Sequence, residues 1–151
     1  MAKPFEFRLR VRYGECDAQQ VVFNARYADY ADLAMTEYLR SLFGGVKALL
    51  AQGLDTQVVR FAIDWKAPAK FDDVLAIQIT PGRTGNTSFT LQIRYLQADS
   101  QTELAQAEVV YVLVQAGLHQ KVSMSEAFKR QLQNGAAGVL VDQSACVSPA
   151  P

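Results

Sequence analysis

Few side chains in this sequence are suited to chemistry, and Asp17 stands in the most informative place. It lies in the polar stretch Tyr13-Gly14-Glu15-Cys16-Asp17-Ala18-Gln19-Gln20, and Asn24 follows seven residues later, where a helical pattern begins. A carboxylate can attack a carbonyl carbon or draw a proton from water. The first N–H groups of a helix lack partners within it and carry the positive end of its dipole. An anion set beside such a cradle suits attack on a carbonyl, because the N–H groups stabilise the oxyanion that forms. On position alone, an Asp in a polar turn is most often a cap or Asx-turn residue. The flanking elements have to tip the balance.

Those elements are well marked. Phe5, Phe7, Leu9, Val11 and Tyr13 alternate with Glu6, Arg8, Arg10 and Arg12, the pattern of a half-buried strand. From about Ala25 to Phe43 the period becomes helical, with Tyr27, Ala31, Ala34, Tyr38 and Leu42 on one face. Asn24 is the expected N-cap and Gly44-Gly45 the stop. A short helical piece over 46–52 is followed by four strands. The first is carried by Val59, Phe61, Ile63 and Trp65, the second by Leu75, Ile77 and Ile79, and the third by Phe89, Leu91, Ile93 and Tyr95. The fourth, Ala105 to Val114, is apolar on both faces from Val109 onward, which fits a central strand or one covered by a partner. A last helix is expected from Ser123 to Leu132, with Ser123 and Glu126 as a capping box. The order of elements predicts an α+β fold: a curved antiparallel sheet of about five strands around one long helix. Residues 1–134 form one domain, and the Gly-, Ala- and Ser-rich stretch 135–151 reads as a loose tail.

Composition narrows the function. Lys and Arg balance Asp and Glu at fifteen each, so bulk charge gives no support for nucleic-acid or membrane binding. No apolar run reaches membrane-spanning length. Cys16 and Cys146 form neither a metal spacing nor a disulfide framework, and a reduced cytoplasmic setting fits them. Cys16 has no base beside it that would make it a nucleophile. Metal-ligand clusters, dinucleotide fingerprints and phosphate loops are missing, and no cofactor is expected. The one histidine, His119, lies at the end of the last strand, so no Ser-His-Asp set can be placed.

The segment Val11-Arg12-Tyr13-Gly14-Glu15-Cys16-Asp17-Ala18-Gln19-Gln20-Val21-Val22-Phe23-Asn24-Ala25-Arg26-Tyr27 resembles the signature of 4-hydroxybenzoyl-CoA-type thioesterases, which have the hotdog fold. Tyr13, Asp17, Val21, Val22, Phe23, Asn24 and Tyr27 take the signature positions. Asp64-Trp65-Lys66-Ala67-Pro68, Asp72-Asp73 and Gly85-Asn86-Thr87-Ser88-Phe89 are weaker echoes of the same family. The resemblance implies hydrolysis of acyl-CoA thioesters, CoA being part of the substrate. It implies that Asp17 is catalytic and that the Asn24 backbone N–H, with that of Phe23 a weaker candidate, polarises the carbonyl. It also implies assembly as a dimer with sites at the interface, sometimes paired into tetramers. The family position that is usually glycine is Gln20 here. A left-handed backbone at that residue would cost about 1–2 kcal/mol. Either the loop takes a different path, or the Gln20 side chain borders the acyl pocket.

Thioester chemistry suits so sparse an inventory. The leaving thiolate belongs to a thiol of pKa about 8.5, so it departs without a general acid. A nucleophile or base and an oxyanion cradle suffice. Val22 and Tyr27 are the expected pocket residues near the helix start, and Arg83, Thr87, Ser88 and Arg94 are the candidates for CoA. Glu15 reads as a solvated loop charge. Asp32 and Glu37 are helix-surface charges, or carboxylates for a hotdog arrangement whose acid sits on the long helix. Two rivals stay open: hydrolysis of acyl groups carried on a carrier protein, and a hotdog module that binds acyl-CoA without hydrolysing it. A dehydratase is disfavoured, since that chemistry wants a His near the long helix.

Overall fold

A computed structural model of the chain describes residues 2–145. In chain order the elements are β1 (Phe5–Arg10), α1 (Arg26–Phe43), α2 (Val46–Ala51), β2 (Leu54–Trp65), β3 (Val74–Thr84), β4 (Ser88–Gln97), β5 (Glu103–Gln115), α3 (Glu126–Asn134) and β6 (Leu140–Asp142). They form one six-stranded sheet in the order β2-β5-β4-β3-β1-β6. All neighbours pair antiparallel except β1 and β6, which run parallel. Among the described residues no helix is long and apolar enough to cross a membrane.

The period-2 pattern decides what the sheet shows to the helix. Phe5 and Phe7 of β1, Ile77 and Ile79 of β3, Leu91, Ile93 and Tyr95 of β4 and Val109 of β5 are buried on one side. Against them lie Tyr27, Tyr30, Ala34, Tyr38 and Leu42, the helical stripe of α1. Small residues at 31 and 34 let α1 approach the sheet, and the tyrosines fill the space beside it. The Phe5 and Tyr38 rings meet edge to face at 5.3 Å. Each large side chain buried this way is worth about 1.5–3 kcal/mol against exposure. The sheet around the long helix is therefore the hotdog arrangement expected.

Two local expectations need correction, and a third, which had left two readings open, is decided. First, the sheet has six strands, because Leu140–Asp142, in the stretch expected to be loose, pair with Glu6, Phe7 and Arg8. Glu6 and Val139, and Arg8 and Gln143, also share main-chain hydrogen bonds of 2.9 Å. This closes the open edge of β1, the usual fate of an exposed strand edge. Residues 146–151, with Cys146, lie outside the described residues. Second, α3 is capped by Ser125, whose hydroxyl accepts from the Phe128 N–H at 3.1 Å. Ser123 is not the cap because the chain is still extended there: the Val122 N–H donates to Leu113 and the Met124 N–H to Asn86. Third, β5 is a central strand between β2 and β4, and Val112 and Val114 are buried within a single chain.

Candidate active site

The loop after β1 is a tight hairpin in miniature. The Asp17 N–H donates to the Val21 carbonyl and the Gln20 N–H to the Asp17 carbonyl, both at 2.9 Å, and Cys16 bridges Val22 across the turn. The Asp17 carboxylate accepts from the Gln19 N–H at 2.8 Å, an Asx turn. One oxygen is held by the turn, and the residue still lines the cleft. Val22 is tied to the next segment by a 2.8 Å bond from its N–H to the Ala69 carbonyl.

Gln20 takes the left-handed conformation, with φ of +65°. The loop therefore keeps the path that favours glycine, and Gln20 bears the strain. Its side chain is exposed and does not line the cleft beside Asp17, whereas that of Gln19 does. Neither of the two expected alternatives is found: the loop keeps its path with a strained backbone at Gln20, and the side chain stays out of the cleft. Replacing Gln20 with Gly relieves about 1–2 kcal/mol of left-handed strain but adds about 0.5–1 kcal/mol of unfolded-state entropy. A net gain of roughly 0.5–1 kcal/mol is expected, read as a rise of about 2–4 °C in the melting temperature.

The helix start differs from expectation in a way that matters chemically. The N-cap position is Ala25, not Asn24, and no side chain caps the helix. Arg26, Tyr27 and Ala28 donate to the carbonyls of Phe23, Asn24 and Ala25. The N–H groups of Asn24 and Ala25 donate to no acceptor among the described residues. The Phe23 N–H, by contrast, is engaged with the Glu15 carbonyl at 2.9 Å, so it is not a free donor.

These parts border one cleft of about 360 Å³, lined by Asp17, Gln19, Val22, Asn24, Tyr27, Trp65 and Lys66 with Val21, Ala67 and Pro68. Tyr27 is held from three sides. Its ring meets Trp65 edge-on at 6.0 Å and Tyr95 at 5.1 Å, and its carbonyl accepts from the Tyr95 hydroxyl at 2.7 Å. The cleft thus joins an anion and free N–H groups to an aromatic wall.

A profile of the thioesterase superfamily matches residues 19–104. Acyl-CoA thioester hydrolase YbgC of Escherichia coli O157:H7 is 34% identical over 110 residues, 73% of this chain and 81% of that one. Acyl-CoA thioesterase YbgC of Haemophilus influenzae is 32% identical over 126 residues, 83% of this chain and 91% of that one. The chain belongs to the thioesterase superfamily. A crystal structure of a hypothetical protein from Aquifex aeolicus superposes with a TM-score of 0.78 at 26% identity, covering 85% of this chain and 99% of the other. The expectation of a thioester hydrolase is met at that level. The matched span opens at Gln19, two residues past Asp17.

Within this superfamily member, the structure gathers some of the expected residues and separates others. Asp17, Asn24, Val22 and Tyr27 line the cleft together. Arg83, Thr87 and Ser88 do not reach it. Thr87 and Ser88 sit at the start of β4 and Arg83 near the end of β3 beside it; Ser88 is seven residues from Tyr95, or about 23 Å along an extended strand. Arg94 does not line the cleft; it pairs at 3.4 Å with Glu103, the carboxylate that also holds the lining Lys66 at 3.4 Å. Glu37 pairs with Arg40 at 3.0 Å and Asp32 is exposed, so neither helix carboxylate joins Asp17 in the cleft. His119 follows the Gln115 end of β5, while Trp65 pairs with Ala105 at the opposite end. Burial and the nearby Asp17 and Glu15 charges push the Cys16 thiol up, which keeps it an inert thiol.

Lys66 and Gln19 were not expected as lining residues, although the Trp65-Lys66-Ala67-Pro68 run was visible as a family-like segment. The larger omission is Glu15. It is buried, not solvated: its carboxylate accepts from the Arg12 N–H at 2.8 Å, from the Arg12 guanidinium at 2.8 and 3.2 Å, and from the Tyr30 hydroxyl at 3.0 Å. Its place three residues after Arg12, where the chain has left β1, was the available signal, because a Glu there can reach back to a free N–H.

Proposed function

We propose that the chain is an acyl-CoA thioesterase that uses Asp17 as nucleophile or general base and the Asn24 N–H as oxyanion donor, helped by the Ala25 N–H. The observation that carries this is the pairing, in one cleft, of the Asp17 carboxylate with a helix start whose N–H groups have no internal partner. In the nucleophilic form, an Asp17 oxygen bonds to the thioester carbon and the carbonyl becomes an oxyanion against Asn24. Collapse breaks the carbon–sulfur bond and expels the CoA thiolate, leaving a mixed anhydride. Water then cleaves the anhydride to the free acid and restores the carboxylate. In the general-base form, Asp17 takes a proton from water, and the hydroxide attacks in its place. Both run without a general acid, since the thiolate is a good leaving group.

Tyr27 and Trp65 form the acyl wall, and Lys66 is the cation at the cleft. The YbgC relatives, named as acyl-CoA hydrolases, favour CoA as the thiol. Gln20, which left open a blocked pocket, lies outside the lining. The test is a panel of acyl-CoA thioesters, short to long and aliphatic to aryl, read by free-thiol appearance beside carrier-protein thioesters. Turnover of CoA thioesters is expected. Hydrolysis of the carrier-protein thioesters alone, or tight CoA binding without any turnover, would overturn the assignment.

Self-association belongs to the same reading. β2 ends the sheet order, and its outer edge pairs with no other described strand. Val58 and Val59 on it are 49% and 57% exposed. A long apolar edge of this kind invites a second strand, and a second copy supplies one. Arg83, Thr87 and Ser88 then serve CoA bound in the neighbouring copy's cleft, since their own cleft lies at the other end of β4. Light scattering should give a mass of two or four chains, and Val59→Lys should lower it. A monomer at micromolar concentration would refute this part.

A further inference from the structure

Glu15 is the one buried carboxylate among the described residues, and the scheme above gives it no task. Its bonds reach the exit from β1, the helix α1 and the turn before α1, on one side of the cleft. Oε1 accepts from the Arg12 N–H, where the chain leaves β1, and from the Tyr30 hydroxyl on α1, at 2.8 and 3.0 Å. Oε2 accepts from the Arg12 guanidinium at 2.8 Å. Its main-chain carbonyl accepts from the Phe23 N–H at 2.9 Å, and its own N–H donates to the Arg12 carbonyl at 3.0 Å.

The two reacting groups hang from this one residue. Asp17 is two residues along the chain from Glu15, and Asn24 is the residue after Phe23. The Glu15 side chain fixes residue 15 to α1, and its carbonyl fixes the turn that presents the Asn24 N–H. The separation of carboxylate and oxyanion donor is therefore set in part through this buried anchor, beside the hairpin bonds that join Asp17 to Val21 and Val22 to Ala69. Catalysis is sensitive to such a setting, since a misplacement of about 1 Å can cost about a hundredfold.

We propose that Glu15 is a positioning residue for the reaction: through Arg12, Tyr30 and Phe23 it holds Asp17 and the Asn24 N–H at their reacting separation. This rests on the assignment of Asp17 and Asn24 made above. Glu15→Asp withdraws the carboxylate by one methylene, so it loses either Tyr30 or the Arg12 N–H, or drags the Asp17 loop toward them. Glu15→Gln keeps an oxygen for Arg12 and Tyr30 but turns an N–H₂ toward the guanidinium donors. Tyr30→Phe removes one bond and leaves the rest.

The test measures kcat and KM on the best acyl-CoA substrate, at a temperature where circular dichroism shows each variant fully folded. The expected result is a fall in kcat of tenfold or more for Glu15→Asp, a smaller fall for Glu15→Gln, and about threefold for Tyr30→Phe, with KM within threefold throughout. A purely structural anchor gives folded variants with kcat within twofold of wild type, and that overturns the proposal. So does a rise in KM at unchanged kcat, which would assign Glu15 to binding. If both Glu15 variants fail to fold, Tyr30→Phe decides alone: wild-type kcat overturns the proposal and a threefold loss supports it. Asp17→Asn is measured in parallel. Full turnover there refutes the site assignment, whereas collapse there with unaffected Glu15 variants refutes the positioning role alone.

Discussion

Asp17→Asn is expected to lower thiol release from acyl-CoA by at least about a hundredfold while the fold survives. The substitution keeps size and shape, and the Asn side-chain oxygen can still accept the Gln19 N–H that now holds the carboxylate at 2.8 Å. The loop bonds from Asp17 and Gln20 are main-chain and stay in place. What is lost is the negative charge, and with it both the power to attack carbon and the power to take a proton from water. General-base catalysis contributes about 10²–10⁴-fold, and an abolished covalent route costs at least as much. Melting temperature within a few degrees of wild type, with KM for acyl-CoA little changed, would place the defect in the chemical step. Near-wild-type turnover would remove Asp17 from the mechanism.

Glu15→Ala is expected to be the most damaging single change to stability outside the apolar core, at about 2–4 kcal/mol. The ion pair with Arg12 contributes little of this, because the Arg12 side chain is 74% exposed and its charge is screened by water. The larger part is the Arg12 N–H and the Tyr30 hydroxyl, which lose their acceptor; an unsatisfied buried donor costs about 1–3 kcal/mol. Urea unfolding of wild type and variant at neutral pH measures the difference, which corresponds to a fall of roughly 5–15 °C in melting temperature.

The same carboxylate predicts an acid limb. Burial pushes the Glu15 carboxyl up, but the hydrogen bonds from Arg12 and Tyr30, with the Arg12 charge, outweigh it and hold its pKa below the ordinary glutamate value of 4.5. A carboxyl depressed in the folded state adds stability that is complete above its unfolded pKa. That stability is lost as the pH falls through the folded value. Wild type should therefore lose stability below about pH 4.5 more steeply than Glu15→Ala. Burial, with the Glu15 hydrogen bond and charge, raises the Tyr30 hydroxyl, so it stays a protonated donor across this range. Parallel stability curves for the two proteins below pH 4.5 would show that Glu15 is not the residue responsible.

Much of this protein was readable along the chain because the informative patterns are local. Strict alternation from Phe5 and the helical stripe from Tyr27 to Leu42 each follow from one element burying one face; the stripe stands as expected, while the strand ends at Arg10 and Tyr13, expected on its buried face, is 82% exposed in the turn that follows. Asp17 between them was visible for the same reason. The misplaced caps show where local pattern stops. Ser123-x-x-Glu126 has the composition of a capping box, yet the chain there is still bonded to β5 and to Asn86. Asn24 is a good capping type, yet α1 starts one step later with its first N–H groups free. A cap is chosen by where the preceding segment is pinned, and that pinning is made by residues far away in sequence.

Glu15 and Gln20 mark the same boundary from opposite sides. Gln20 was legible as a substitution at a glycine-favouring position, because left-handed strain depends on one residue's own φ, here +65°. Whether its side chain lined the cleft was not legible, since that depends on how the loop packs opposite the 65–68 segment, and it is Gln19 that shares the lining with that segment. Glu15 looked like any polar-loop charge, and only the approach of Tyr30 from fifteen residues away makes it a buried anchor. Short-range periodicity carried the class of fold, and the residue types of the 11–27 segment carried the family and the candidate carboxylate, for these follow from each element's own sequence. The free N–H groups, the lining of the cleft and the burial of Glu15 between Arg12, Tyr30 and Phe23 were set by packing between distant segments. No short-range pattern records a contact of that kind.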